Sequence, residues 1–218
     1  GVSTVGLSAL ALFFLWRMVA LMDADSGDLA ALGGGLIVLG GSLTSINNLA
    51  LAVSGRALFG LPINLFSFLA AGFSCVAYAI WCGQRVIRAQ PRADSVWLAP
   101  MLLIVGSQTI SAYLVGLERG PSEFILLLTI TTVANLALNA LCVRQAGWQR
   151  MRLAQALFIG YFSTVLGLNA MAHTLDGSLF DALMVQGLNV LAALFFAVAA
   201  WQLSRETRRR LLRAALLG

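Results

Sequence analysis

The chain has 218 residues, 60% of them hydrophobic and 11% charged, whereas soluble domains run near roughly one half apolar and one quarter charged. This excludes an ordinary water-soluble domain, which would lack the polar surface to cover its core, and points to a chain covered by lipid. The net charge of +5 is carried by fourteen arginines and no lysine. That excludes a retinal Schiff base, which needs a lysine amine. The arginines flank apolar segments instead of lining one polar face, which argues against nucleic acid as a partner.

Seven apolar runs follow one another near residues 2–22, 29–53, 61–83, 97–117, 122–143, 153–173 and 181–203. Each has roughly the 20 residues that a helix needs to cross about 30 Å of hydrocarbon. The expected fold is therefore all-α, a seven-transmembrane-helix bundle. A helix satisfies its own backbone groups, as lipid demands. Residues 1–203 form the transmembrane domain in this reading, and 204–218 a basic cytoplasmic helical extension. The opening run lacks a basic stretch before it and so does not read as a cleaved signal peptide. Gly1 in place of Met leaves room for preceding residues.

Polar breaks separate the runs. Asp23-Ala-Asp25-Ser-Gly27-Asp28 divides the first two, and Gly120-Pro121-Ser122 divides runs four and five, with Pro121 suited to a first helical position. Pro62 and Pro100 fall in first turns, where a missing N–H costs little. Ser178-Leu-Phe-Asp181 has capping-box spacing before run seven, with Asp in place of Glu. No loop is long enough for a separate domain.

Arginine placement predicts orientation. Arg17, the groups after runs three and five, and the run from Arg205 to Arg213 put twelve arginines on one side; Arg56 and Arg119 lie on the other. Positive charge marks the cytoplasmic face, so the N-terminus is expected outside and the C-terminus in the cytoplasm. Trp16, Trp81, Trp97, Trp148 and Trp201 all fall toward the arginine-rich side, where an indole keeps its ring shielded and its N–H wet. Arg17, Trp81, Arg85, Arg88, Trp97, Trp148, Arg150, Trp201 and Arg205 are therefore read as membrane-interface anchors. Arg17 lies inside a run but close enough to its end to snorkel; the sharper reading is an anion site or gate.

Chemistry-bearing residues are sparse. No acidic residue lies deep in a run, which argues against proton pumps and cation-coupled carriers. Cys75, Cys82 and Cys142 sit in apolar runs without a CxxC spacing and read as small buried hydrophobes. No metal site and no catalytic constellation is visible, and no cofactor can be named. The amides are more informative. Asn47 and Asn48 (run two), Gln108 (run four), Asn169 and His173 (run six), and Gln186 and Asn189 (run seven) lie at or outside the middle of their runs, and with Asn135 (run five) they are the candidate residues of a ligand-binding polar cavity. If runs two, four, six and seven adjoin, Asn47, Gln108, Asn169 and Gln186 converge on an outward-facing polar cavity. The plainer alternative is that the amides join helices by hydrogen bonds. Gly33, Gly34, Gly35, Gly40 and Gly41 crowd run two and predict close helix approach.

Past run seven, Arg205 to Gly218 continues without a helix breaker, with Leu212 and Leu216 on one face. Such a helix meets a partner helix, as a homodimer or within a larger membrane complex, or lies on anionic lipid.

Leu15-Trp16-Arg17 closing run one, Leu29-Ala-Ala-Leu-Gly33 opening run two, Leu61-Pro62 opening run three, and the Arg85-Val-Ile-Arg88 and arginine-rich exits of runs three and seven carry a resemblance. The chain resembles the N-terminal seven-helix sensory modules that precede GGDEF diguanylate cyclase domains in bacteria. That resemblance implies a signal-input module of the bacterial inner membrane, passing a stimulus through helix seven to a cytoplasmic output, and it carries over no ligand residues. The rival expectations are an accessory or structural subunit of a larger membrane complex, and a small-solute transporter or channel.

Overall fold

The computed structural model describes residues 2–56, 63–91, 96–116, 121–171 and 179–217. These residues form seven α-helices and no strand: α1 (Val2–Met22), α2 (Ala24–Ser54), α3 (Ile63–Ile87), α4 (Leu98–Gly116), α5 (Pro121–Trp148), α6 (Arg152–Met171) and α7 (Leu179–Leu217). Four stretches among them are long and apolar enough to cross a membrane: Ser3–Met22, Ala24–Asn47, Phe66–Ile87 and Leu183–Leu216. Shorter apolar stretches occupy Leu98–Ile110 in α4 and Arg152–Leu168 in α6. The all-α expectation stands.

Helix ends follow backbone chemistry more than hydropathy. The expected break at residues 23–28 is instead the first turns of α2. Asp23 caps that helix: its Oδ2 accepts from the Ser26 N–H at 3.0 Å and from the Ser26 hydroxyl at 2.5 Å. Acidic residues in a first turn also suit the helix dipole. Pro121 is the first residue of α5 and Pro100 sits in the first turn of α4, both as expected. Pro62 and Ser178 lie outside the described residues.

At the arginine-rich end, α3 and α5 continue past the expected ends of their runs at 83 and 143 and stop in matching caps. Gln90 N–H donates to Arg85 C=O and Ala89 N–H to Val86 C=O; Met151 N–H donates to Ala146 C=O and Arg150 N–H to Gly147 C=O. Both are Schellman motifs, with Ala89 (φ 53°) and Arg150 (φ 58°) in the left-handed position usually held by glycine. α7 is continuous through the expected boundary at 203/204, and Ser204 and Thr207 beyond it are buried in the bundle.

Packing between helices gives a ring in the order α1–α2–α3–α5–α6–α7, closed by α7 against α1. α3 also reaches α1. α4 stands outside the ring, packed on α3 and touching α5 only at its edge, which leaves an apolar cleft of about 470 Å³ between α3, α4 and α5. The helices α2 and α3 cross at Gly33 and Gly72, where a Cβ on either residue would meet backbone atoms of the other helix at 2.7–2.8 Å. Of the glycines in α2 that were expected to pack closely, Gly33 does so. Gly34 is in ordinary contact with Leu12, whereas Gly35 faces open space.

The core is uneven. The largest fully buried side chains are Leu15, Met18, Val19, Leu29, Val76, Ile80, Gln84, Leu138, Phe158, Leu203 and Thr207. All lie in the half of the bundle nearest the arginines. Among the described residues, the opposite half is mostly half-buried or exposed, with buried residues such as Ser67, Ala70, Ala71 and Thr131 where α3 meets its neighbours, and there α1, α2, α3 and α7 part around a cavity.

Candidate ligand cavity

The cavity has a volume of about 380 Å³ and lies between α1, α2, α3 and α7 in the loosely packed half. Val5, Ile37, Val38, Leu69 and Phe73 supply apolar walls. Thr4 and Ser8 from α1, Thr44 and Ser45 from α2, and Gln186 and Asn189 from α7 supply polar groups. Gln186 Nε2 donates to Thr4 Oγ1 at 3.4 Å, joining α7 to α1. Asn189 Nδ2 donates to Val185 C=O at 3.0 Å, within its own helix. Among the described residues, neither amide oxygen has a hydrogen-bond donor, so both remain available as acceptors. The Thr44 hydroxyl donates to Gly40 C=O at 2.8 Å, which turns it back on α2 and keeps its oxygen as an acceptor. Gly41 faces the space: a Cβ there would touch only Val5, at 3.8 Å.

Among the described residues, no ionised side chain lines this space. Its chemistry is that of a few hydroxyls and amides set in an apolar wall, which suits a small neutral amphipathic molecule and not a free ion.

Of the amides singled out in the sequence, Gln186 and Asn189 are brought together here. Asn47 is half-buried in α2 with a partner of its own and is not part of the lining. Gln108 is a correction to the expected convergence, and Asn135 likewise lies away from this cavity. Gln108 Oε1 accepts from Ser67 Oγ at 3.2 Å, tying α4 to α3. Asn135 is buried and exchanges hydrogen bonds with the Tyr161 hydroxyl at 3.2 and 3.3 Å, tying α5 to α6. The reason is topological. α4 contacts neither α2, α6 nor α7, so Gln108 cannot share a cavity with Gln186. The side chains of Asn48 and Asn169, and His173 altogether, lie outside the described residues. The hydroxyls of α1 and α2 carried no weight in the sequence reading, although Thr4 and Ser8 are spaced i,i+4 and so share a helix face.

The opposite end is a different environment. Gln84, buried at the foot of α3, donates to Leu141 C=O at 3.1 Å and accepts from Arg144 at 2.5 Å. Gln149, in the turn that follows α5, donates to Thr207 Oγ1 of α7 at 2.6 Å, and Arg210 donates to Gln149 C=O at 2.6 Å while pairing with Glu206 at 3.0 Å. Around this network the expected anchors pair up. Arg85 lies over Trp81, Arg88 and Arg144 flank Trp148, and Arg205 rests near Trp201 with its guanidinium carbon 5.6 Å from the ring centre. Trp97 is half-buried and packs on the core, and Arg150 is exposed at the α5–α6 turn. Partial desolvation, followed by the like charge of Arg144, lowers the Arg88 pKa from its usual value.

Comparison with family models, with curated proteins and with solved structures finds no match for this chain.

Proposed function

We propose that this chain is a multi-pass protein of the bacterial inner membrane. In this reading all seven helices span the bilayer, with the N-terminus outside and the arginine-rich end in the cytoplasm. Within that membrane it acts as a signal-input module, the role implied by its resemblance to GGDEF-associated sensory modules. A small neutral amphipathic ligand enters the outer cavity, and α7 carries the consequence to a cytoplasmic output or partner.

One observation supports this most. The same helix that presents Gln186 and Asn189 to the cavity continues unbroken to Leu217. Its 39 residues at about 1.5 Å each make a rod of about 58 Å, nearly twice the hydrocarbon thickness of about 30 Å. The cavity end sits among loosely packed neighbours, where a small shift meets little resistance. The far end presents Leu212 and Leu216, 54% and 85% exposed, on a face ready for a second helix. A ligand drives such a device only if it favours one packing of α7 over another.

Filling the cavity mimics occupancy without knowledge of the ligand. Nitroxides are placed at Ala89 and Leu212 in the complete protein in liposomes, and their separation is measured with Gly41→Phe or Ser8→Phe present. Helix shifts at such contacts are on the order of 1–2 Å, so a change of that size is expected in at least one filled variant. Unchanged distances in both correctly folded variants would refute transmission through α7, and the exposed leucines would then favour an accessory-subunit role.

A further inference from the structure

Arg17 does not stand alone at the end of α1. With Arg205 and Arg208 of α7 it lines a small cavity of about 180 Å³, completed by Phe14, Trp201 and Ser204. Three positive charges thus converge on one space, and among the described residues no carboxylate lines it. None of the three guanidiniums has a hydrogen bond or ion pair among the described residues, whereas Arg144 is held by Gln84 and Arg210 by Glu206. The convergence is built by helix geometry. Residues 201, 204, 205 and 208 share one face of α7 by their i,i+3 and i,i+4 spacing, and α1 packs against α7 so that Arg17 meets that face. Like charges held together without a counter-ion repel one another, and an anion between them removes that repulsion.

We propose that this cavity binds a phosphate group, supplied by the headgroup of an anionic phospholipid. Guanidinium forks match phosphate oxygens, often two at a time, and the Ser204 hydroxyl adds a donor. The lipid source is favoured by the apolar part of the lining: Trp201 is 43% exposed and Phe14 half-buried beside the charges, as suits a glycerol backbone at a membrane interface. Inorganic phosphate shares the oxyanion chemistry but gains nothing from that wall. The assignment rests on the membrane reading above, though not on signal transmission. Bound lipid would join α1 to α7 at the end opposite the ligand cavity.

The test is native mass spectrometry of the purified protein in detergent, titrated with phosphatidylglycerol, phosphatidylcholine or inorganic phosphate. Phosphatidylglycerol is expected to bind in preference to phosphatidylcholine. Arg17→Gln, Arg205→Gln and Arg208→Gln should each weaken it about fivefold, the effect of removing one interfacial cation. Arg209→Gln and Arg213→Gln, on the same helix but outside the cavity, should change it by less than about twofold. Arg17→Lys, which keeps the charge and loses the fork, should fall between wild type and Arg17→Gln. Equal weakening by all five glutamine variants would overturn the proposal in favour of a diffuse basic surface, as would absence of any phosphatidylglycerol preference. Inorganic phosphate binding with the same arginine dependence and no lipid preference would overturn the lipid source and assign the site to a soluble phosphate. Failure of the membrane reading itself would show separately, as a protein that stays soluble without detergent.

Discussion

Replacing Gly72 by alanine probes the point where α2 and α3 come closest. A Cβ at that position would lie 2.6 Å from Ile37 Cγ1, 2.7 Å from Gly33 O and 3.0 Å from Ile37 N. The isoleucine side chain can turn away, but the carbonyl oxygen and amide nitrogen belong to the backbone and cannot. Ordinary contact begins at 3.4 Å, so the two helices must separate by 3.4 − 2.7, about 0.7 Å, to clear the carbonyl. A gap of that size forfeits about a quarter to a half of the dispersion attraction of each atom pair along the seam. Overpacking of this kind destabilises by about 1–3 kcal/mol. Alanine also favours helix over glycine by about 1 kcal/mol, which would mask part of the effect. Gly35→Ala supplies the correction, because nothing lies within 4 Å of a Cβ there and only the propensity gain remains. The difference between the two variants therefore isolates the crossing. At about 2–4 °C per kcal/mol for a domain of this size, Gly72→Ala should melt some 2–12 °C below Gly35→Ala, measured by circular dichroism in mild detergent. Equal melting temperatures would show that the helices do not pack as closely as the glycines allow.

Ala89→Gly should raise stability by about 1 kcal/mol, since it removes a Cβ from the left-handed cap of α3; a lower melting temperature would contradict the cap assignment. A double-mutant cycle between Gln149→Leu and Thr207→Val should give a coupling of about 1 kcal/mol, the net value of a buried neutral hydrogen bond, and zero coupling would remove that link between α5 and α7. Single cysteines at positions 88 and 150 should resist a membrane-impermeant maleimide in intact cells, while one at 176 reacts. The native thiols at 75, 82 and 142 are buried and should stay silent. Labelling at 88 and 150 but not at 176 would invert the proposed orientation.

The linear sequence determined the class and much of the local structure. Seven apolar runs forecast seven helices because a helix needs only its own backbone to satisfy its polar groups, so each is nearly a local event. The Pro121 start and the unbroken α7 were legible for the same reason. Helix ends were less so. Hydropathy marks where apolar side chains stop, whereas hydrogen bonding continues until a cap intervenes, as at Asp23, Ala89 and Arg150. Which helices touch was beyond the reach of the sequence altogether. Nothing in the spacing of Gln108 or Asn135 says that Ser67 and Tyr161 are their partners, because those pairings depend on α4 lying outside the ring and α6 lying beside α5. The two cavities are likewise products of assembly. Thr4, Gly41 and Gln186, or Arg17 and Arg208, are far apart along the chain and acquire shared chemistry only when α7 closes against α1. Backbone propensity is a local energy that each segment carries with it. Adjacency is decided by the packing of all the helices at once, and that is why only the tertiary structure could assign it.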